Sequence, residues 1–147
     1  MLFRSVPGIV GLGAACQLAA AERPAEAERL LALRCQLRAG LSKVLLGDEL
    51  NGHETRRLPG HLSLSFRGLD GAELLAQLRG IALSSGAACS SDSPNPSHVL
   101  AAMGCDDARA RSTLRFGLGR FTTAREVEYV AERVVAAVEV QIGRAHV

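Results

Sequence analysis

Leu62-Ser63-Leu64-Ser65-Phe66 alternates apolar and small polar residues with a period of two, the pattern of a strand with one face buried and the other polar. Arg67 continues the polar face. The alternation returns at Leu114, Phe116 and Leu118, where Arg115 falls on the face opposite its apolar neighbours. Strands patterned in this way need helices to cover the apolar side, and helical periodicity flanks them. Pro7 suits a first helical turn, and small apolar residues continue to about Ala21. Pro24 then opens a second helix, Ala25 to about Leu41, with Leu30, Leu31, Leu33, Leu37 and Leu41 opposite Glu26, Arg29, Arg34 and Arg38. Val44 to Leu46 is a short strand, and Gly47 to Pro59 a polar loop around the turn pair Asn51-Gly52. Asp70 caps a helix from Gly71 to Leu78 that Gly80 ends, and Ile81 to Leu83 forms a short strand. Ser97 to Met103 makes a short helix. Thr122 caps a last one, with Glu126 near its start and Val127, Val130, Val134, Val135 and Val138 facing inward. The order predicts an α/β fold, a small mixed sheet with helices packed on one face.

The 147 residues suffice for one core, and 48% hydrophobic against 22% charged residues is a globular composition. Net charge is +2, with both signs interspersed, so no basic stripe marks a nucleic-acid interface. Lys43 is the single lysine among 17 basic residues. Cys16, Cys35, Cys89 and Cys105 form no Cys-x-x-Cys pair, which disfavours a zinc site or a dithiol centre and predicts free thiols in a reducing cytoplasm. No apolar run is long enough to span a membrane, and the first helix lacks the layout of a signal peptide; a soluble, cytoplasmic protein is expected. Residues 1–5 and 142–147 resemble translated sequencing adapters, so the domain is expected to occupy residues 6–141. Without Arg4 and Arg144 the chain has 15 basic and 15 acidic residues, and its basicity disappears.

Two residues carry candidate chemistry. Cys89 follows a strand within a run of Ser, Gly and Ala, which offers a thiol nothing to pack against and leaves it accessible for attack. Cys16 and Cys35 lie among apolar helix positions and read as buried structural cysteines. Cys105, between Gly104 and Asp106, remains open. Arg115 is the second candidate, because a planar guanidinium held on a strand can clamp a carboxylate through two parallel hydrogen bonds; a plain surface arginine is the alternative. His98 reads as a packing or capping residue rather than a base.

Ser84-Ser-Gly-Ala-Ala-Cys-Ser-Ser91, Pro96-Ser-His-Val-Leu100 with Met103-Gly104, Arg57-Leu-Pro-Gly-His-Leu-Ser-Leu-Ser-Phe66 and Leu114-Arg-Phe-Gly-Leu-Gly-Arg-Phe-Thr-Thr123 together resemble the C-terminal domain of the first group of cysteine desulfurases, in the class V aminotransferase family. The resemblance runs from about Val6 to Val140. It implies the small domain of a fold-type I pyridoxal-phosphate enzyme, with residues 6–22 in the helix that joins it to a large domain. It further implies an enzyme that converts L-cysteine to L-alanine and leaves the sulfur as a persulfide on the loop cysteine, for iron–sulfur cluster assembly or tRNA thiolation. Cys89 would be that nucleophile and Arg115 the binder of the substrate carboxylate. Sulfur-acceptor or scaffold proteins and a homodimeric parent are implied too. No metal ligands are implied, although a persulfide on Cys89 would meet a nascent iron–sulfur cluster.

The cofactor lysine of that family lies in a His-Lys motif of the large domain, and Ser42-Lys43-Val44 does not match it. No cofactor-binding residue is therefore assigned here, and the chain alone is expected to be inactive. A stand-alone sulfur-carrier module and another class V lyase are the alternative readings.

Overall fold

The structure, a computed structural model, describes residues 5–44, 50–85 and 97–145. Cys89 and most of the Ser84–Ser91 motif lie outside the described residues, as does most of the strand expected from Val44 to Leu46. Five helices and three strands follow one another as α1 (Val6–Leu41), β1 (His61–Ser65), α2 (Gly71–Gln77), β2 (Ser84–Ser85), α3 (His98–Ala102), α4 (Asp107–Arg111), β3 (Thr113–Gly117) and α5 (Ala124–Ala145) among the described residues.

The two alternating segments pair with each other. β3 is central, antiparallel to β1 on one side and to β2 on the other. Leu62 lies opposite Phe116 and Leu64 opposite Leu114, so the apolar residues of both strands share one face. That face packs on Leu33, Leu37 and Leu41 of α1, Leu74 of α2, and Val127, Val134 and Val138 of α5. The α/β layering and the helix-covered face agree with expectation. The described strands, however, form an antiparallel rather than a mixed sheet. β1 and β2 do run in the same direction, but β3 is inserted between them, so no parallel pair forms.

The two helices expected before Leu41 are one helix of 36 residues with Pro24 inside it, about 54 Å long at 1.5 Å per residue. Proline deletes one backbone donor and crowds the preceding turn, but Ala19, Ala20, Ala21, Ala25 and Ala27 around it are the strongest helix formers and carry the helix through. Its second half is held by packing. Arg29 also ties it to the segment between β3 and α5, donating to the carbonyls of Thr122 (2.7 Å), Arg120 (2.9 Å) and Gly119 (3.0 Å) while paired with Glu26. Arg120 adds an ion pair to Glu22.

Apart from that ion pair, its first half is left uncovered. Every residue from Ser5 to Ala25 is exposed, including Val6, Ile9, Val10, Leu12 and Leu18, each more than half accessible. Cys16 lies on this half and Cys35 on the outer side of the second, so both are exposed thiols, not the buried ones expected. An apolar ridge of this kind drives association. The isolated chain should therefore self-associate as its concentration rises, measured by sedimentation, whereas Ile9→Lys with Leu12→Lys should suppress association and leave the melting temperature unchanged. A wild-type chain that stays monomeric at high concentration would contradict this.

Several ends differ from the sequence reading. The last helix is capped by Thr123 rather than Thr122. Glu126 N donates to Thr123 Oγ1, and Glu126 Oε2 accepts from Thr123 N at 2.7 Å, a reciprocal pair that needs the three-residue spacing. Thr122 Oγ1 instead accepts from Gly119 N. The short strand falls at Ser84–Ser85, not Ile81–Leu83, because those are the residues that reach β3. α4 was not foreseen. α5 runs on through Ala145, with Ile142 packed against the core and Arg144 paired with Glu73.

Candidate active site

The sheet face away from the hydrophobic core is polar, and it divides into a sealed half and an open half. Ser65 and Thr113 lie opposite each other in the sealed half, covered by Asn51 and by Arg109 of α4. Asn51 is 3% exposed. Its Oδ1 accepts from Arg109 Nε at 2.9 Å and from the Cys105 thiol at 3.6 Å, and its Nδ2 donates to Ser65 Oγ at 2.9 Å. Thr113 Oγ1 donates to the Arg109 carbonyl at 2.8 Å, so the 2.9 Å contact between Ser65 and Thr113 has Ser65 as donor. The chain of donors closes, and it fixes the edge of the sheet.

Arg115 is the centre of the open half. It is half-buried on the central strand, with Ser63 opposite on β1 and Ser84 opposite on β2. Residues directly opposed across a sheet project to the same face, so two hydroxyl side chains flank the guanidinium. Among the described residues, none receives a hydrogen bond from it. His61, one row further along β1, shares this face. Arg34 of α1 and Arg57 of the preceding segment lie around it, and Arg34 Nη1 donates to the Leu58 carbonyl. Burial first, and then the charges of Arg57, Arg115 and Arg34, hold the His61 imidazole below its usual pKa of 6.5. A depressed folded pKa makes the neutral form the one that folding favours. Stability from this residue is full above the unfolded value and is lost as pH falls through the folded one.

The sequence pattern indicated the facing of Arg115, but pointed neither to Asn51, read as half of a turn, nor to His61. The signal for Asn51 was present in Ser63, Ser65 and Thr113, polar residues on strands that had to find partners. His98, expected to pack or cap, does neither: it is the exposed first residue of α3, and Ser97 occupies the cap position. Cys105 is half-buried in the sealed network. Lys43 is exposed in the turn after α1. Among the described residues no cluster of His, Cys, Asp and Glu could hold a metal ion, and no helix is long and apolar enough to cross a membrane. A cleft of about 600 Å³ opens elsewhere, between Ile81, Leu83, Phe121 and Tyr129, and does not include Arg115.

The family model for class-V aminotransferases matches residues 3–130. The chain belongs to that family. Among curated family relatives, a cysteine desulfurase IscS of Anaeromyxobacter sp. (strain Fw109-5) is 50% identical over 134 residues, 91% of this chain and 33% of the relative. The cysteine desulfurase of Homo sapiens is 43% identical over 133 residues, covering 90% of this chain and 29% of its own length. Among solved structures, a NifS-like protein superposes with a TM-score of 0.77 at 30% identity, covering 95% of this chain and 35% of that one. A second NifS-like protein, from Rickettsia africae, gives 0.76 at 25% identity. The chain thus spans about a third of the length of the family relatives it matches.

Proposed function

We propose that this chain is the small, C-terminal domain of a cysteine desulfurase, contributing the substrate clamp and the sulfur acceptor to an active site whose cofactor is held by the rest of the parent enzyme. The observation that carries this reading is the open polar face. Arg115 sits at its centre, and Ser84, its partner across the sheet, belongs to the strand from which the chain runs on to Cys89. Cys89 is the fourth residue after Ser85, and an extended chain covers at most about 14 Å over four residues. That short tether supports the reading that the thiol serves the same site as Arg115.

The chemistry assigned to the chain's own residues is simple. The Arg115 guanidinium binds the α-carboxylate of L-cysteine and fixes its orientation. The thiolate of Cys89 takes the substrate's sulfur, so that the carbon–sulfur bond breaks, a sulfur–sulfur bond forms, and L-cysteine plus enzyme thiol become L-alanine plus enzyme persulfide. The persulfide then passes to an acceptor protein, for iron–sulfur clusters or RNA thiolation. Pyridoxal phosphate is the cofactor of this reading, its lysine lying in the rest of a parent that acts in the cytoplasm as a homodimer.

The test is alanine formation from L-cysteine by the full-length parent, with the 147-residue chain alone as comparison. The parent should form alanine and the chain should not. Activity of the chain by itself, or none in the parent loaded with pyridoxal phosphate, would sink the reading. Within the parent, Arg115→Lys keeps the charge but loses the two-pronged geometry. It should raise KM for L-cysteine by about tenfold, and Arg115→Ala by about a hundredfold, as expected for loss of charge-assisted hydrogen bonds.

A further inference from the structure

More positive charge gathers around His61, at the end of the open polar face, than the neighbouring acids offset. Arg34 from α1, Arg57 from the segment before β1 and Arg115 from β3 all act on His61. The acid in this neighbourhood is Glu54, which lies near Arg57 and is engaged by Arg38 at 3.1 Å. Arg57 Nη1 is buried without a hydrogen-bond partner. Among the described residues, the His61 ring and the Arg115 guanidinium accept and donate nothing, although both are half-buried on one face in adjacent rows of the sheet. Buried donors without acceptors are costly, and a cluster of positive charge beside them favours an anion.

We propose that His61 is a second recognition group for the substrate's α-carboxylate, donating one hydrogen bond to it beside the guanidinium of Arg115. This rests on the reading of Arg115 as the carboxylate clamp and extends it. Diagonal neighbours on a sheet stand about 7–8 Å apart at the backbone, within reach of long and aromatic side chains, so the two oxygens of a carboxylate can be shared between an imidazole and a guanidinium. The same geometry couples binding to protonation. The imidazole is held toward its neutral form while the site is empty, by burial first and then by the charges of Arg57, Arg115 and Arg34; a docked anion offsets those charges and favours the imidazolium. Substrate affinity then rises as pH falls through the interval between the two states.

The test uses the full-length parent and L-alanine, which keeps the carboxylate and lacks the reactive sulfur. The His61 ring resonance, assigned by its loss in His61→Gln, should titrate below 6.5 without L-alanine and at a higher pH with it. In steady-state assays His61→Phe should raise KM for L-cysteine about tenfold with kcat little changed, the mark of lost ground-state binding. His61→Asn, which keeps a donor, should recover most of the loss. An unchanged midpoint, or an unchanged KM in His61→Phe while Arg115→Ala still weakens binding, would overturn the role of His61 and leave the clamp standing. Unchanged KM in Arg115→Ala would overturn the clamp, and the proposal with it. If His61→Phe fails to fold, the wild-type midpoint shift decides.

Discussion

Replacing Cys89 by serine in the full-length parent is expected to lower alanine formation from L-cysteine by at least about a thousandfold. A cysteine thiol with a pKa near 8.5 is a few per cent thiolate at neutral pH and strongly nucleophilic, whereas a serine hydroxyl is essentially un-ionised there. Oxygen in that position also cannot hold the sulfur as a persulfide. The control is Cys105→Ser, which should retain activity, because the Cys105 thiol is held in the sealed half of the sheet face against Asn51 Oδ1. The measurement is alanine released per enzyme, with mass spectrometry of the trapped protein showing one added sulfur on the peptide containing Cys89. A Cys89→Ser enzyme retaining a tenth of the activity would remove Cys89 from the reaction.

Asn51→Ala is expected to destabilise the domain by about 3 kcal/mol, lowering its melting temperature by roughly 10 °C. The side chain is nearly inaccessible and bonds to Ser65, Thr113, Arg109 and Cys105. Its loss leaves Arg109 Nε without an acceptor and removes the donor that begins the Asn51–Ser65–Thr113–Arg109 chain. Each stranded buried polar group costs on the order of 1–3 kcal/mol, but Arg109 keeps its bond to the Leu50 carbonyl and Thr113 its bond to Arg109, which limits the total. Ser63→Ala is the contrast, since Ser63 Oγ has only a long 3.4 Å contact with Asn51, and should cost under about 1 kcal/mol. Urea unfolding of the variants at low protein concentration measures both. Equal stability of Asn51→Ala and wild type would show that water replaces the network.

The strands and the last helix were legible because their signals are local. Leu62, Leu64, Phe66, Leu114 and Phe116 repeat every second residue, and the valines of α5 every third or fourth, whatever they pack against. The breaks were read less well. Pro24 is a strong stop signal, yet helix-forming alanines on both sides carry α1 through it. Thr123, not Thr122, stands three residues before Glu126, the spacing a reciprocal cap needs, so this end was legible in the sequence and misread.

For the candidate site, the sequence by itself determined the residue types and the sheet face: a cysteine among small residues at 89, an arginine at 115 turned away from the apolar side, and a single lysine outside any cofactor motif. Only the tertiary structure decided what stands beside Arg115. Ser63, Ser84 and His61 come from positions 52, 31 and 54 residues away in the chain, and strand pairing, a long-range choice made by burying one apolar face, puts them in adjacent rows. The neutrality of His61 likewise depends on burial and on arginines from three elements, none of which has a fixed spacing in sequence.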